Sequence, residues 1–251
     1  NELTLRVHKE LTDWEMKVAS QVQTEFLPRT VPSISGLELS GSVRQGRFIG
    51  GDYYDFIPRN DGTLMIVTAD VSGKGVPAAL IMAEVRASTQ LLVSMKVGLA
   101  ELTEKLNALI HQSTDKKSFV TFFAAEINPV MRSISYVNAG HPPPLICSNG
   151  AVSPLSRGTF PLGMQALLSG LTVRDAAFQP GDFIVFYTDG ILERTNPQGE
   201  QFGEERLAGY IRKNARSGVG PFVEQLFAEV EKFGEGRDPD DDATVAIIRF
   251  V

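Results

Sequence analysis

The chain has 251 residues, of which 22% are charged and 43% are hydrophobic, and its formal net charge is −6 at pH 7. This balance is typical of a folded globular protein, and an acidic surplus without a long basic run argues against nucleic acid as a partner. The only cysteine, Cys147, excludes an internal disulfide, and no apolar run approaches the roughly 20 residues of a membrane span, so we expect a cytoplasmic protein.

Residues 1–27 show the pattern of an amphipathic helix. Apolar side chains recur at steps of three and four residues, with charged side chains between them. These apolar positions are Leu11, Trp14, Val18, Val22 and Phe26. Pro28 and Pro32 end the helix. The apolar stripe could lie against the protein's own surface, or it could pair with a second copy as a short coiled coil.

From residue 37 the pattern changes to strands. Apolar alternation or short apolar runs predict strands at 37–43, 53–57, 64–71, 119–127, 133–137, on both sides of 148–150, and at 171–178, 183–187 and 244–251. Helices are predicted at 76–95, 99–112, 204–214 and 221–233. Turn signals such as Asn60-Asp61-Gly62 join most strands as hairpins. The pattern therefore favours antiparallel sheets with paired helices over a parallel sheet.

Four turns at strand ends carry aspartate side chains. They lie at residues 50–55, 70–75, 187–190 and 238–244. If one edge of a sheet gathers them, each pair of carboxylates about 4 Å apart repels by roughly 4 kcal/mol at an effective dielectric constant near 20. Protonation or cations relieve this repulsion. Oxygen ligands without imidazole or thiolate favour Mg²⁺ or Mn²⁺ over Zn²⁺.

Each of these motifs also has a structural interpretation. The Asp-Gly pair at 189–190 is by itself usually a turn, and the run 238–242 is usually a solvated loop. An EF-hand is excluded because Ala243 and Arg249 stand where its glycine and glutamate belong. His141 is more often a structural turn residue than a metal ligand. With three histidines and no nucleophile elbow, the sequence argues against a Ser-His-Asp hydrolase.

Seven stretches of the chain form an ordered set, at residues 50–55, 69–80, 121–123, 138–143, 161–163, 187–193 and 241–245. In this order they resemble the bacterial SpoIIE/RsbU-type branch of the metal-dependent serine/threonine phosphatases, the phosphatase 2C-like (PPM) superfamily. The resemblance covers about residues 20–251. It implies an α+β fold, an αββα sandwich of two antiparallel sheets flanked by paired helices, with two Mn²⁺ or Mg²⁺ ions at one edge.

The resemblance also implies a set of metal ligands, which are aspartates and one backbone carbonyl. They are Asp52, Asp70, the carbonyl of Val71, Asp189, Asp241 and, if the register of the last pair differs by one residue, Asp242. Asp70 would bridge the two ions.

The implied reaction is attack of a metal-bridging hydroxide on phosphorus, without a phosphoenzyme. Ser72 stands where many eukaryotic relatives carry a histidine that is thought to protonate the leaving group, so a metal-bound water could take that role. No residue clearly matches the arginine that contacts phosphate in those relatives. Arg44, Arg47 and Lys74 are candidates.

The function that the resemblance implies is a protein serine/threonine phosphatase acting on a regulatory protein. The expected substrate is a phosphorylated STAS-domain anti-sigma factor antagonist, and the expected regulator is an upstream sensor or receiver domain. Residues 1–30 would form a linker that makes a homodimer, and residues 31–251 the catalytic domain. A catalytically weak, partner-binding regulatory domain is the alternative, although the retained aspartates argue against it. A metal-dependent phosphodiesterase would commonly need more histidines.

Overall fold

The computed structural model describes residues 2–28, 30–46, 49–115, 117–156, 158–239 and 241–251, without the side chains of residues 2–5 and 7–9. The helices in these ranges are α1 (Glu2–Thr24), α2 (Val76–Ser94), α3 (Leu99–Ser113), α4 (Asp189–Leu192), α5 (Gly203–Asn214) and α6 (Val219–Phe233). The strands are β1 (Leu37–Arg44), β2 (Tyr53–Pro58), β3 (Leu64–Val71), β4 (Val120–Asn128), β5 (Ser133–Ala139), β6 (Leu145–Ser148), β7 (Ala151–Pro154), β8 (Arg174–Ala177), β9 (Phe183–Tyr187) and β10 (Ala243–Phe250).

Two five-stranded sheets form the centre of the described fold. The first sheet has the strand order β1-β10-β9-β6-β7, and the second has the order β2-β3-β4-β5-β8. Every strand pair is antiparallel. Helices α2 and α3 cover the second sheet, and α5 and α6 cover the first. The predicted α+β sandwich, with two antiparallel sheets between paired helices, is confirmed.

Three apolar cores hold these four layers together. Consecutive strand residues point to opposite faces of a sheet, so Phe122 lies in the core under α2 and α3, while Phe123 lies between the sheets. Phe186 of the facing sheet meets Phe123 with 5.7 Å between ring centroids. Its neighbour Tyr187 belongs to the third core, which α6 closes with Phe222. Strands that are buried on both faces explain the continuous apolar runs in the sequence.

The structure corrects the bounds of two predicted elements, the pairing around one turn and the absence of one short helix from the prediction. The strand predicted at 171–178 is confined to Arg174–Ala177, and the turn that follows does not form a hairpin, because β8 pairs with β5 and β9 pairs with β10 and β6. That turn carries the chain from one sheet to the other. Helix α1 ends at Thr24, three residues before its predicted end. The short helix α4 was not predicted, since an Asp-Gly pair indicates a turn.

The apolar stripe of α1 does not pack against the rest of the described chain. Its members Leu11, Trp14, Val18 and Val22 are 38–63% exposed. Phe26, just after the helix, differs because it packs against the core under α2. The Nε of Arg86 on α2 donates to the Phe26 carbonyl at 2.6 Å. The end of α1 is therefore attached to the domain, while the remainder of the stripe faces outward.

Helix α2 is the one described helix that is long and apolar enough to cross a membrane by length and composition. In the fold it is a core helix. Ala78, Met82 and Val85 are buried against the second sheet and α3, and such a helix passes the same test as a membrane span.

Candidate metal centre

The four aspartate turns lie at the same edge of the sandwich. Asp52 precedes β2, and Asp70 lies near the end of the antiparallel neighbour β3. Asp189 follows β9, and Asp241 precedes β10, which pairs with β9 in antiparallel register. Each sheet thus supplies two of the four predicted acidic ligands. The structure brings together all the aspartates that sequence analysis selected, Asp242 included, since their charges act on one another.

Asp52 is the most deeply buried member of this cluster, with 5% of its surface exposed. Two hydroxyl groups donate to the same oxygen, Oδ2: Thr188 Oγ1 at 2.8 Å and Thr244 Oγ1 at 2.6 Å. The backbone amide of Thr244 in turn donates to Thr188 Oγ1 at 2.9 Å. Burial, and then the charge of Asp70, raise the pKa of Asp52 well above its usual range, while the two hydroxyl groups act to lower it. Both threonines come from the first sheet, so they fix a carboxylate that the second sheet supplies.

Asp70 lies at the centre of the cluster. Burial first, and then the charges of Asp189, Asp241 and Asp242, raise the pKa of Asp70 to about 8. A hydrogen bond with Asp52 partly offsets this effect. A carboxyl group in this environment is stabilised either by a proton or by a bound cation.

The loop before Asp52 needs glycine at positions 50 and 51, because its backbone lies against Asp242 and Val71 of the site. A Cβ on Gly50 would lie 1.3 Å from Asp242 Oδ2, and a Cβ on Gly51 would lie 2.8 Å from the carbonyl oxygen of Val71. The amide of Gly46 donates to Asp242 Oδ1 at 2.9 Å. Burial raises the pKa of Asp242, and backbone amides of this loop act to lower it. The Asp242 carboxylate thus receives backbone donors from the loop.

Asp241 and Asp189 face the open side of the cluster. Lys74 Nζ contacts Asp241 Oδ2 at 2.9 Å. Burial, followed by the charges of Glu193 and Asp241, raises the pKa of Asp189. Lys74, Asp241 and Arg44 line a cleft of about 510 Å³.

The structure also describes the surroundings of Ser72 and of two of the three basic candidates for the phosphate. Ser72 Oγ accepts a hydrogen bond from the amide of Phe119 at 2.8 Å, so its hydroxyl joins the end of β3 to the segment before β4. Arg47 lies outside the described residues. Of the two basic candidates that the structure describes, Lys74 contacts Asp241 of the cluster, and Arg44 pairs with Glu224.

The donor set fits a hard cation such as Mg²⁺ or Mn²⁺, because it consists of carboxylate oxygens and a backbone carbonyl. Among the described residues, no three histidine, cysteine, aspartate or glutamate side chains stand in positions that could hold a metal ion between them as they are. The carboxylates are instead bonded to hydroxyl groups, backbone amides and an ammonium group. Mg²⁺ commonly keeps several waters and few protein ligands, so an open arrangement of this kind is compatible with it.

Sequence analysis missed Thr188, Thr244 and Gln23. The two threonines look like ordinary strand residues, and their signal is only their position beside Asp189 and Asp242. Gln23 lies on α1 and bonds to the backbone of Gly50, which no local pattern indicates.

Comparison with known proteins finds relatives in sequence and in fold. Phosphoserine phosphatase RsbU of Bacillus subtilis (strain 168) is 26% identical over 99% of the chain and 74% of its own length. Two further curated relatives are covered over only 36% and 58% of their lengths. The SiaA-PP2C domain of Pseudomonas aeruginosa has a TM-score of 0.86 at 20% identity, covering 98% of this chain and 99% of that one. The catalytic domain of the serine threonine protein phosphatase PstP, in complex with two manganese ions, has a TM-score of 0.64 at 15% identity, covering 86% and 98%.

These structures share the fold, and the sequence match defines the family. The family model for stage II sporulation protein E matches residues 60–251, which include β3 to β10 and the turns bearing Asp70, Asp189 and Asp241. The predicted SpoIIE/RsbU-type resemblance is thereby confirmed, and the chain belongs to the SpoIIE family.

Proposed function

We propose that this chain removes phosphate from a phosphoserine or phosphothreonine of a regulatory protein, with two Mn²⁺ or Mg²⁺ ions at the aspartate cluster. Its class, a phosphoprotein phosphatase, follows from its family and from relatives such as phosphoserine phosphatase RsbU. The observation that carries the proposal is the cluster itself, which two sheets build at one edge from oxygen donors alone. The PstP domain, a more distant structural neighbour, is in complex with two manganese ions.

We assign the metal ligands as Asp52, Asp70, the carbonyl of Val71, Asp189 and Asp241. Asp70 is suited to bridge two ions because the charges of Asp189, Asp241 and Asp242 act on it from the first sheet and it shares a hydrogen bond with Asp52 of its own sheet. We assign Asp242 to holding the loop before Asp52, since that loop donates to its carboxylate. When bound, such a pair of ions lowers the pKa of a coordinated water and neutralises phosphoryl oxygens.

Side chains of the chain itself would orient Asp52 and contact the phosphoryl group. Thr188 and Thr244 occupy Oδ2 of Asp52, so its other oxygen is the one directed to a ligand. Lys74 borders both Asp241 and the cleft, where an ammonium group can pair with a phosphoryl oxygen. Asp52, Thr188 and Thr244 are buried, so water reaches the site only from its open side. Exclusion of water strengthens the electrostatic interactions of Asp52 and Lys74.

The substrate that we propose is a phosphorylated STAS-domain anti-sigma factor antagonist in the cytoplasm. The support is the match to RsbU over nearly the whole chain, together with a likeness to the structure of the RsbU and RsbW domains of Rv1364c from Mycobacterium tuberculosis. A partner-binding domain with weak activity is the alternative function. The four aspartates, and the two threonine hydroxyl groups that hold Asp52, favour the enzyme.

We further propose that residues 1–30 form a dimerisation linker through which an upstream sensor or receiver domain acts on the catalytic domain, residues 31–251. The exposed stripe of α1 supports this, because four large apolar side chains face outward on one helix. The bonds from Gln23 to Gly50 give the helix a direct contact with the loop that leads to Asp52.

The decisive experiment measures phosphate release from a phosphorylated STAS-domain protein and from p-nitrophenyl phosphate, with Mn²⁺, Mg²⁺ or EDTA. We expect release from both substrates with either metal, and none with EDTA. Turnover of p-nitrophenyl phosphate alone would retain the phosphatase and reject the substrate. Tight binding of the phosphoprotein without turnover under any metal would establish the partner-binding alternative.

A further inference from the structure

Both carboxylate oxygens of Asp241 are engaged by groups of the chain. Oδ1 accepts from the backbone amide of Asp242 at 3.0 Å, and Oδ2 contacts the ammonium group of Lys74 at 2.9 Å. Asp241 directly precedes β10 of the first sheet, whereas Lys74 lies in the turn that follows β3 of the second sheet. The ion pair therefore crosses the open side of the aspartate cluster from one sheet to the other.

Lys74 is the cation that partly neutralises this cluster. Of the ion pairs between described residues, the one with Lys74 is the only one that involves an aspartate of the cluster. The charge of Asp241 acts on both Asp70 and Asp189, so an ammonium group at Asp241 also relieves the repulsion among these carboxylates. A divalent ion that binds Asp241 meets this ammonium group at the same carboxylate, and like charges a few ångströms apart repel.

The turn that carries Lys74 is held at its ends and open in its middle. The amide of Ser72 donates to the Phe119 carbonyl at 2.9 Å, and its hydroxyl accepts from the Phe119 amide at 2.8 Å. Helix α2 begins two residues after Lys74. Gly73 and Gly75 have φ of 95° and 77°, and a Cβ on either would meet no atom within 4 Å. The Lys74 side chain, which is 41% exposed, thus has room to change its partner while the ends of the turn stay in place.

A second anion can reach the same ammonium group. Lys74 and Asp241 line the cleft of about 510 Å³ beside the cluster. A phosphoryl group carries about −1.5 to −2 charges at pH 7 and three strong acceptor oxygens. The lysine ammonium group has three donors and binds phosphate as a compact charge. Once a divalent ion neutralises Asp241, the phosphoryl group is the stronger attraction for Lys74.

We propose that Lys74 is a competing cation at the metal centre, which holds Asp241 until a divalent ion takes that carboxylate and then pairs with the phosphoryl group of the substrate. The inference rests on the proposed function and adds that one ammonium group lowers metal affinity and raises phosphate affinity. A purely structural ion pair would strengthen both when present. A lysine that only binds phosphate would leave metal affinity unchanged.

The first test measures Mn²⁺ binding by calorimetry in wild type, Lys74→Met, Asp241→Asn and the double variant. We expect Lys74→Met to bind Mn²⁺ roughly 3- to 10-fold more tightly, because it removes both the ion pair and a positive charge beside the ion. In the Asp241→Asn background, the same substitution should have little effect, because the competition acts through that carboxylate. Lys74→Arg keeps the charge and should bind like wild type. Arg44→Met is the matched control, since Arg44 lines the same cleft but pairs with Glu224, and it should leave Mn²⁺ affinity nearly unchanged.

The second test measures how tightly inorganic phosphate binds, as a competitive inhibitor of p-nitrophenyl phosphate turnover, at Mn²⁺ concentrations that saturate each variant. We expect Lys74→Met to weaken phosphate binding and to raise KM roughly 10-fold, because a charge-assisted bond to the phosphoryl oxygens is lost. Lys74→Arg should retain most of both. One substitution would then tighten the metal and loosen the anion.

A Lys74→Met variant that binds Mn²⁺ as wild type does, or more weakly, would refute the competition. An equal gain in the Asp241→Asn background would also refute it, because the charge would then act at long range rather than through the ion pair. Tighter Mn²⁺ binding with unchanged phosphate affinity would overturn the transfer to the substrate. If neither wild type nor Lys74→Met binds Mn²⁺, the proposed metal centre itself fails, whereas equal binding by both overturns only the role of Lys74.

Discussion

The side chain of Gln23 bonds to both backbone polar groups of Gly50. Its Nε2 donates to the Gly50 carbonyl at 2.5 Å, and its Oε1 accepts from the Gly50 amide at 3.0 Å. Gln23 is 5% exposed, although it belongs to a helix whose other side chains are mostly in contact with water. A displacement of α1 therefore either moves the loop before Asp52 or breaks two buried hydrogen bonds, each worth about 1 kcal/mol.

We expect Gln23→Leu to weaken Mn²⁺ binding and to lower kcat several-fold, because Gly50 in the loop before Asp52 loses both of its bonds to the Gln23 side chain. Gln21→Leu makes the same change at an exposed position of the same helix and should have no effect. The measurement is Mn²⁺ titration by calorimetry alongside turnover of p-nitrophenyl phosphate. Equal behaviour of the two variants would show that the contact does not reach the site.

The exposed stripe of α1 predicts self-association. We expect the chain to sediment as a dimer at tens of micromolar, and the double variant Trp14→Glu/Val18→Glu to sediment as a monomer with altered turnover, since buried charges oppose a coiled-coil seam. Lys17→Glu, which adds a negative charge at an exposed position beside the stripe, is the control. A wild type that is monomeric at this concentration, with full turnover in the double variant, would exclude the dimer.

Replacing the central carboxylate should separate metal binding from folding. We expect Asp70→Asn to keep the fold and to lose nearly all turnover and at least one Mn²⁺, because the change removes the charge that we propose to bridge the ions but preserves the shape of the side chain. Circular dichroism checks the fold, and calorimetry with a phosphatase assay checks the site. Metal binding and turnover like those of the wild type would contradict the ligand assignment.

The raised pKa of Asp70 also predicts how stability depends on pH in the presence of a chelator. Its pKa is about 8 in the folded chain, against 3.8 as the ordinary value, so the folded state holds the proton more tightly than the unfolded state does. This contribution is present in full below about pH 4 and is lost as the pH rises towards 8. We expect the free energy of unfolding of wild type, relative to Asp70→Asn, to fall between pH 5 and 8 in EDTA. Added Mn²⁺ should abolish this loss, and a flat difference in EDTA would refute it.

The hydroxyl pair on Asp52 should matter for metal affinity more than for packing. We expect Thr188→Val and Thr244→Val each to weaken Mn²⁺ binding by roughly 10- to 100-fold, and the serine variants to retain it, because serine keeps the hydroxyl donor. Thr68→Val is a matched control, since the Thr68 hydroxyl is fully buried and has no hydrogen-bond partner among the described residues. Serine variants that bind as weakly as the valine variants would indicate a packing role instead.

Much of the fold was predictable because its strands are buried and its turns are local. The hairpin at Asn60-Asp61-Gly62 joins β2 to β3 as expected, and the paired helices begin within two residues of their predicted starts. Which sheet a strand joins was not predictable. The segment 179–182 looks like any hairpin turn, and only long-range pairing shows that it passes between sheets.

The same limit applies to the site. The aspartate turns stood out because buried carboxylates at strand ends are costly, but the set of ligands among them was implied by the family resemblance. Thr188, Thr244 and Gln23 act through partners that are distant in sequence, for example Thr244 on Asp52, and their side chains are common at such positions for other reasons. Residues that orient ligands carry little local signal.

The place of β10 in its sheet has a consequence for how the protein folds. This strand is inserted between β1 and β9, and it pairs Phe250 with Leu37 from the other end of the chain. Contacts between such distant segments form slowly, and until they form, β1 and β9 present unpaired edges that invite pairing with other chains. Asp241 and Asp242 directly precede this strand, so they reach their positions in the aspartate cluster only when β10 pairs with its neighbours. A divalent ion would then bind the completed sandwich far better than any folding intermediate. By mass action it would lower the fraction of chains that remain as aggregation-prone intermediates.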